Sequence, residues 1–209
     1  MRQGFCFIPL TILFLFSHPG SCQESTKDKS IRYFNKTDAG VSFGLGSFKT
    51  DIVKGVQKKI RNDELVITVQ TTNGIKLFNK LGVGLSLGIE KWRNGFFYPI
   101  LAYLGYDLKA KDNTFFGGVY LGYGLGTRYA TTYYHEGSGA FAFSIGLGYK
   151  MKVGKSIKFL YEIFYKYQAL ESSYNVYTAL NDSTLSPPRL VDYKIPLHFA
   201  GFKIGVIIP

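Results

Sequence analysis

Apolar and small residues alternate strictly along residues 81–90, which read LGVGLSLGIE. Large apolar side chains occupy the odd positions, while glycine, serine and Glu90 occupy the even positions. A period of two residues predicts a β-strand, because successive side chains of a strand point to opposite faces. The glycine-rich face needs little room, which suits the narrow lumen of a small barrel whose apolar face meets lipid. The same alternation recurs in FAFSIGLGY at residues 141–149.

Continued along the chain, this pattern predicts an all-β fold, a closed antiparallel transmembrane β-barrel of about eight strands. The predicted strands cover residues 38–48, 65–77, 81–92, 97–108, 114–126, 140–150, 157–168 and 197–208. Connections after the second, fourth and sixth strands are short, and those after the first, fifth and seventh are long. Short periplasmic turns and longer outer loops are typical of outer-membrane barrels, so we expect both termini in the periplasm.

Two segments allow more than one interpretation. Residues 49–64 form a charged loop that also has the spacing of a short amphipathic helix. Asn73-Gly74 is a strong hairpin signal, but a turn there would interrupt the alternation. We prefer a continuous strand with a bulge or close approach at Gly74, followed by a turn at residues 78–80.

The amino terminus predicts export from the cytoplasm. Arg2 precedes an apolar run from Phe7 to Phe16, and Gly20 and Cys22 supply small residues for cleavage, as in a secretory signal peptide. Lipidation of Cys22 is the alternative to its removal. After this segment no apolar run of about twenty residues is left for a spanning helix. The chain then divides into a signal peptide at residues 1–22, a periplasmic lead-in at 23–37 and the barrel at 38–209.

Composition narrows the classes of partner. The chain has 209 residues and a net charge of +11, yet only 19% of its residues are charged. The lysines are spread along the chain, so nucleic-acid binding is a poor explanation of the charge. Attraction to anionic head groups of outer-membrane lipid, including lipopolysaccharide, fits better. We expect a monomer without a cofactor.

The phase of the strands assigns charged residues to the lumen and aromatic residues to the membrane interfaces. The predicted lumen network consists of Glu90, Asp107, Lys158, Glu162, Lys166 and Lys203. A basic outer loop is predicted from Lys54, Lys58, Lys59 and Arg61. An aromatic girdle is predicted from Trp92, Phe96, Tyr98, Tyr165 and Tyr167. Because Glu162 and Lys203 lie on neighbouring antiparallel strands, we predict an ion pair between them.

Residues suited to catalysis or metal binding are scarce. His135 precedes Glu136 but lacks the second histidine of a zinc-binding helix. A family of membrane-embedded lipid A deacylases places a serine two residues after its histidine, and here Ala200 follows His198 at that spacing. We therefore expect no catalytic or metal site and a structural or surface-interaction role. A narrow pore for small solutes is the main alternative, and a lipid- or peptide-modifying membrane enzyme is a weaker one.

Loose patterns of glycine and aromatic residues recur in Tyr33-Phe34-Asn35, ITVQTTNGIKLFNKLGVGLSLGIEKW, Tyr98-Pro99-Ile100 and HFAGFKIG. Together they resemble the outer-membrane β-barrel domain (porin-like) family of Gram-negative bacteria, over residues 30–209. The resemblance implies a location in the outer membrane and recognition by the insertion machinery, which reads a terminal aromatic residue in many members. This chain ends instead on Ile207-Ile208-Pro209.

Overall fold

The computed structural model of the protein describes residues 31–53, 56–93, 95–111, 113–127, 136–153, 157–176, 179–181, 184–185 and 189–208. The predicted signal peptide, Cys22, Lys54 and His135 lie outside these residues. The strands are β1 (Ile31–Leu45), β2 (Ser47–Val53), β3 (Val56–Arg61), β4 (Leu65–Leu77), β5 (Leu81–Lys91), β6 (Phe96–Asp107), β7 (Thr114–Thr127), β8 (Glu136–Val153), β9 (Ile157–Val176), β10 (Ala179–Asn181), β11 (Thr184–Leu185) and β12 (Arg189–Ile208). Within the described part of the chain, no helix is long and apolar enough to cross a membrane.

Eight of these strands close a barrel in the order β1-β12-β9-β8-β7-β6-β5-β4. The first and last barrel strands complete the closure, with antiparallel pairing from Asn35–Ile208 to Leu45–His198. Two small hairpins, β2–β3 and β10–β11, lie in the connections between barrel strands. The predicted closed antiparallel barrel of about eight strands is confirmed.

The two ends of the barrel differ. The described residues begin at Ile31 and end at Ile208, at one end of the barrel, which we call the terminal end. Short connections follow β4, β6 and β8 at this end. At the opposite end, which we call the loop end, the pairing of β9 with β12 extends to Val176 and Arg189. At the same end, only residues 92–95 separate β5 from β6. The rim of the loop end is therefore tall at β8, β9 and β12 and short at β5 and β6.

The predicted start of the first strand, residue 38, is wrong. β1 begins at Ile31, so residues 31–37 of the predicted lead-in belong to the barrel. Phe34, Lys36 and Asp38 are buried, and the residues between them are more exposed. The period of two is thus present, although the lumen side of this segment carries Phe34, Lys36 and Asp38 in place of the glycine and serine that mark it in β5.

The charged segment after β1, residues 49–64, does not form the amphipathic helix that its spacing allowed. β2 and β3 pair from Ser47–Arg61 to Val53–Val56, so the predicted amphipathic helix is wrong. Strand pairing gives the backbone of this segment its hydrogen bonds, and Phe48 at its base packs against the barrel core.

Asn73-Gly74 lies within a strand, as preferred above. β4 passes through Gly74 without a register shift against either neighbour. A Cβ atom at Gly74 would collide with the carbonyl oxygen of Val83, so the glycine permits the close approach of β5.

The predicted turn at residues 78–80 is also confirmed. Phe78 and Asn79 have φ angles of 51° and 57°, and the Lys80 amide donates to the Leu77 carbonyl at 3.1 Å. Two successive residues with positive φ are the geometry of a type I′ turn, whose twist matches that of the strands it joins.

Alternation separates an apolar outer surface from a packed lumen. In β6, exposed and buried residues alternate without interruption from Phe96 to Asp107. Outward apolar side chains are heavily exposed, as shown by Leu85 at 54%, Leu104 at 50% and Ile163 at 69%. Water-soluble proteins rarely expose an apolar belt of this extent, whereas the lipid-facing side of a membrane barrel is apolar.

The glycines of β7 provide a matched test of how closely the strands pack. A Cβ at Gly122 would collide with backbone atoms of Ile100 and Leu101, whereas one at Gly124 would lie 3.6 Å from Gln168 Nε2, an ordinary contact. We expect Gly122→Ala to destabilise the barrel by about 1–3 kcal/mol, the usual cost of overpacking. Gly124→Ala should be neutral.

A closed barrel without free edges resists detergent, so unboiled and boiled samples should migrate differently in detergent gels. The temperature at which the unboiled form is lost measures the effect of each glycine variant. Equal temperatures for Gly122→Ala and Gly124→Ala would contradict the close approach at Gly122.

Candidate functional site

The lumen holds two apolar clusters. The loop-end cluster consists of Val66, Trp92, Phe97, Ala140, Leu170, Ile195, Leu197 and Phe199. The terminal-end cluster consists of Phe34, Leu101, Tyr103, Phe116, Tyr120, Ala142, Leu160 and Ile207. Charged side chains are packed between and beside these clusters, and they form ion pairs with one another.

Trp92 belongs to the loop-end cluster, so its predicted place in the outer girdle is wrong. It is 1% exposed, and its ring lies 4.9 Å from that of Phe97 and 5.2 Å from that of Phe199. Its indole Nε1 donates to Glu90 Oε2 at 3.3 Å. The phase of β5 explains the position, because Trp92 continues the even-numbered, lumen-facing side that includes Glu90.

The other predicted girdle residues face outward. Phe96, Tyr98 and Tyr165 are 41%, 40% and 37% exposed, and Tyr167 is half-buried. The Tyr165 hydroxyl lies 2.6 Å from His198 Nδ1, and the Tyr167 ring lies 5.3 Å from the His198 ring. His198 therefore has a tyrosine as its hydrogen-bonding neighbour, in an aromatic cluster on the outer wall.

Lys36 is the centre of the buried network. Its Nζ donates to Glu162 Oε2 at 2.7 Å and to the Tyr120 hydroxyl at 2.6 Å, and it lies 3.4 Å from Asp38 Oδ2. The side chains of Lys36, Glu162 and Asp38 are at most 1% exposed. The ammonium also lies 5.4 Å from the centre of the Phe116 ring, within the range of a cation–π interaction.

The structure gives Glu162 a different partner from the predicted one. Lys203 is directly opposite Glu162 in the β9–β12 register, as the strand phases required. However, the Lys203 ammonium lies 3.8 Å from Asp38 Oδ1 and 3.4 Å from Gln70 Oε1, while Glu162 binds Lys36. Lysine side chains are long enough to reach across the narrow lumen, so position in the sheet does not fix the partner.

Three further ion pairs lie on either side of this network. Toward the loop end, Lys166 binds Glu90. Toward the terminal end, Asp107 binds both Lys76 and Lys150. Asp107 is 2% exposed, so these two lysines compensate a carboxylate that is removed from water.

Most of these ion pairs join one residue that was predicted to lie in the lumen with one that was not. Glu90, Asp107, Glu162, Lys166 and Lys203 were predicted in the lumen and lie there. The prediction did not include Lys36, Asp38 or Lys150 among the lumen groups. The signal that would have found the first two is the alternation of residues 33–38, of which residues 33–37 were assigned to the lead-in and residue 38 to the start of the first strand.

The remaining predicted charged residues lie at the two ends. Lys158 is half-buried near the terminal end, beside a cavity. Of the predicted basic loop, Lys59 and Arg61 are exposed on β3, and Lys58 lies in the same strand. Lys59 pairs in register with Lys49, which places two positive residues opposite each other in the β2–β3 hairpin. The described residues contain no group of three histidine, cysteine or acidic side chains arranged to hold a metal ion.

Comparison with known proteins identifies the fold. No family model matches the chain. No curated protein matches it either. Among solved structures, the outer membrane protein OprG from Pseudomonas aeruginosa aligns with a TM-score of 0.50 and 14% identity, over 83% of this chain and 95% of OprG. Neisserial surface protein A (NspA) aligns with a TM-score of 0.49 and 10% identity, over 86% and 99% of the two chains. At 14% identity the likeness to OprG concerns the barrel fold alone, and the predicted family stays a prediction.

A double-mutant cycle tests the Lys36–Glu162 pair. Removing Lys36 leaves buried carboxylates without their cation, so Lys36→Met should destabilise the barrel by about 3–5 kcal/mol. Combining it with Glu162→Gln should reveal a coupling of about 1–3 kcal/mol. Urea unfolding in lipid vesicles measures both quantities.

Two control cycles give coupling energies with which the Lys36–Glu162 value can be compared. Lys203→Met with Glu162→Gln should show weaker coupling, because Lys203 lies against Asp38 and Gln70. The exposed pair Lys194–Glu171, 2.9 Å apart, should show no measurable coupling. Stronger coupling of Glu162 to Lys203 than to Lys36 would restore the partner predicted from the register.

Proposed function

We propose that this chain is an integral outer-membrane β-barrel that acts without catalysis, as a structural or surface-interaction protein. The apolar outer wall supports a place in lipid, and the fold is that of the outer membrane protein OprG. The observation that carries the proposal is the packed lumen. Aromatic and aliphatic clusters fill it, with neutralising ion pairs between them.

In the middle of the barrel, the packing leaves little room for a solute to pass. A cavity between the two clusters, lined in part by Gln70, Glu90 and Tyr120, has a volume of about 10 Å³. That is about the space one water molecule needs. Phe48 of the β2–β3 hairpin packs against the loop-end cluster and adds to this barrier. A lumen filled in this way supports a stable wall in preference to a transport path.

We place the termini in the periplasm and the loop end outside the cell. The short connections at the terminal end and the extended β8, β9 and β12 at the loop end support this orientation, which is the usual one for such barrels. The basic hairpin, with Lys49, Lys59 and Arg61 exposed, would then meet the anionic groups of lipopolysaccharide. The tall rim would present its edge to partners outside.

Planar bilayer recordings test the packed lumen. The purified protein should insert without regular conductance steps. Truncating one residue in each cluster, as in the Trp92→Ala/Tyr120→Ala double variant, should introduce conducting events. The matched control is Phe96→Ala/Tyr165→Ala, which truncates two outward aromatic residues and should stay silent. Heat-dependent gel mobility verifies that each variant is folded, and regular steps from the unaltered protein would favour the pore.

Protease digestion of intact cells tests the orientation. Trypsin should cut after Lys59 or Arg61, which are exposed in the hairpin at the loop end. It should spare Lys109 and Lys111, which are exposed in the connection between β6 and β7. Lysed cells serve as the control, since all four sites are then accessible. Cleavage at Lys109 or Lys111 alone in intact cells would contradict the proposed orientation and indicate the opposite one.

A further inference from the structure

A cavity of about 250 Å³ lies in the lumen at the terminal end. Its lining includes Lys80, from the turn after β4, and Lys111, from the connection after β6, so it extends to the barrel mouth. Phe34 and Tyr103 of the terminal-end cluster contribute apolar surface to its wall. The volume is slightly below that of pockets for drug-sized ligands, which fits a small molecule.

The lining is strongly basic. Seven of the residues around the cavity are lysine or arginine, and Asp107 is the one carboxylate among its described lining residues. Lys76 and Lys150 bind Asp107, and Lys36 binds Glu162. Arg32, Lys80 and Lys111 add further positive charge, so the cavity keeps a net positive charge.

This concentration of charge comes from separate parts of the barrel. Arg32 lies on β1, and Lys80 and Lys111 lie on two different turns. Like charges brought together repel one another, so the arrangement costs free energy unless an anion is present. Asp107 already has two lysine partners, so it is not available to Arg32, Lys80 or Lys111.

We propose that this cavity is a binding site for a small organic phosphate. A phosphate monoester carries up to two negative charges on three acceptor oxygens, so one group can accept from several of these cations. Arg32 can form two parallel hydrogen bonds to it, and the lysines act as point charges. The organic part of the ligand would lie against Phe34 and Tyr103. A soluble phosphate ester and the head group of a phospholipid share this chemistry.

The proposal does not depend on whether the barrel conducts. The orientation proposed above decides only which compartment the site faces. Binding to the purified protein in detergent measures the site itself, so its failure would leave the conductance and protease results untouched.

Calorimetric titration of the detergent-solubilised mature protein tests the site with two probes, sn-glycerol 3-phosphate and short-chain phosphatidylglycerol. The cavity variant is Lys80→Gln/Lys111→Gln. The matched control is Lys59→Gln/Arg61→Gln, which removes the same charge at the loop end. The cavity variant should bind about tenfold more weakly or worse, because charge-assisted hydrogen bonds are lost. The control should bind as the unaltered protein does.

Each outcome has a defined meaning. Binding of glycerol phosphate that only the cavity variant weakens supports the site with a soluble ligand. Binding of the lipid alone, with the same dependence on the variants, supports the site with a head group as its ligand. Absence of binding for both probes, or equal weakening by the two variants, would overturn the proposal and reduce the cavity to a basic surface. Heat-dependent gel mobility confirms that both variants are folded.

Discussion

Closure of the sheet is the constraint from which the rest of the structure follows. Backbone groups inside a membrane have no water to bind, so each strand must pair on both sides. Here β1 and β12 meet this requirement by joining the two ends of the barrel sequence. Once the sheet is closed, each strand has one side toward lipid and one toward a narrow interior. The apolar residues on one side and the glycines, charges and aromatic rings on the other are consequences of that division.

The narrow interior turns charge into a means of crosslinking. Lys36 on β1 reaches Glu162 on β9 and Tyr120 on β7, and Lys166 on β9 reaches Glu90 on β5. None of these pairs joins strands that are neighbours in the sheet. The backbone hydrogen bonds hold the barrel around its circumference, while the ion pairs connect its walls through the middle. Breaking such a pair leaves a charge buried, so the interior is sensitive to the loss of a single partner.

Much of the fold was predictable because the period of two depends only on side-chain direction. It gave the number of strands, the continuity of β4 through Gly74 and the inward phase of Glu162 and Lys203. It failed at the start of β1, where residues 31–37 were assigned to the polar lead-in. It also failed for Trp92, whose residue type suggested a girdle although its phase pointed inward. Ion-pair partners were not predictable, because they depend on which long side chains meet across the lumen. Strand register describes neighbours within the sheet and does not give distances across the lumen.

The unequal rim gives the barrel a direction within the plane of the membrane. Rotation about the barrel axis would leave an even cylinder unchanged, but here β8, β9 and β12 form a raised wall and the β5–β6 connection a gap. A large protein that approaches within the membrane meets either the raised wall or the gap, depending on the side from which it arrives. Other proteins in a crowded bilayer should therefore contact this barrel preferentially on particular sides. The lengths of the strands set this preference, whatever side chains they carry.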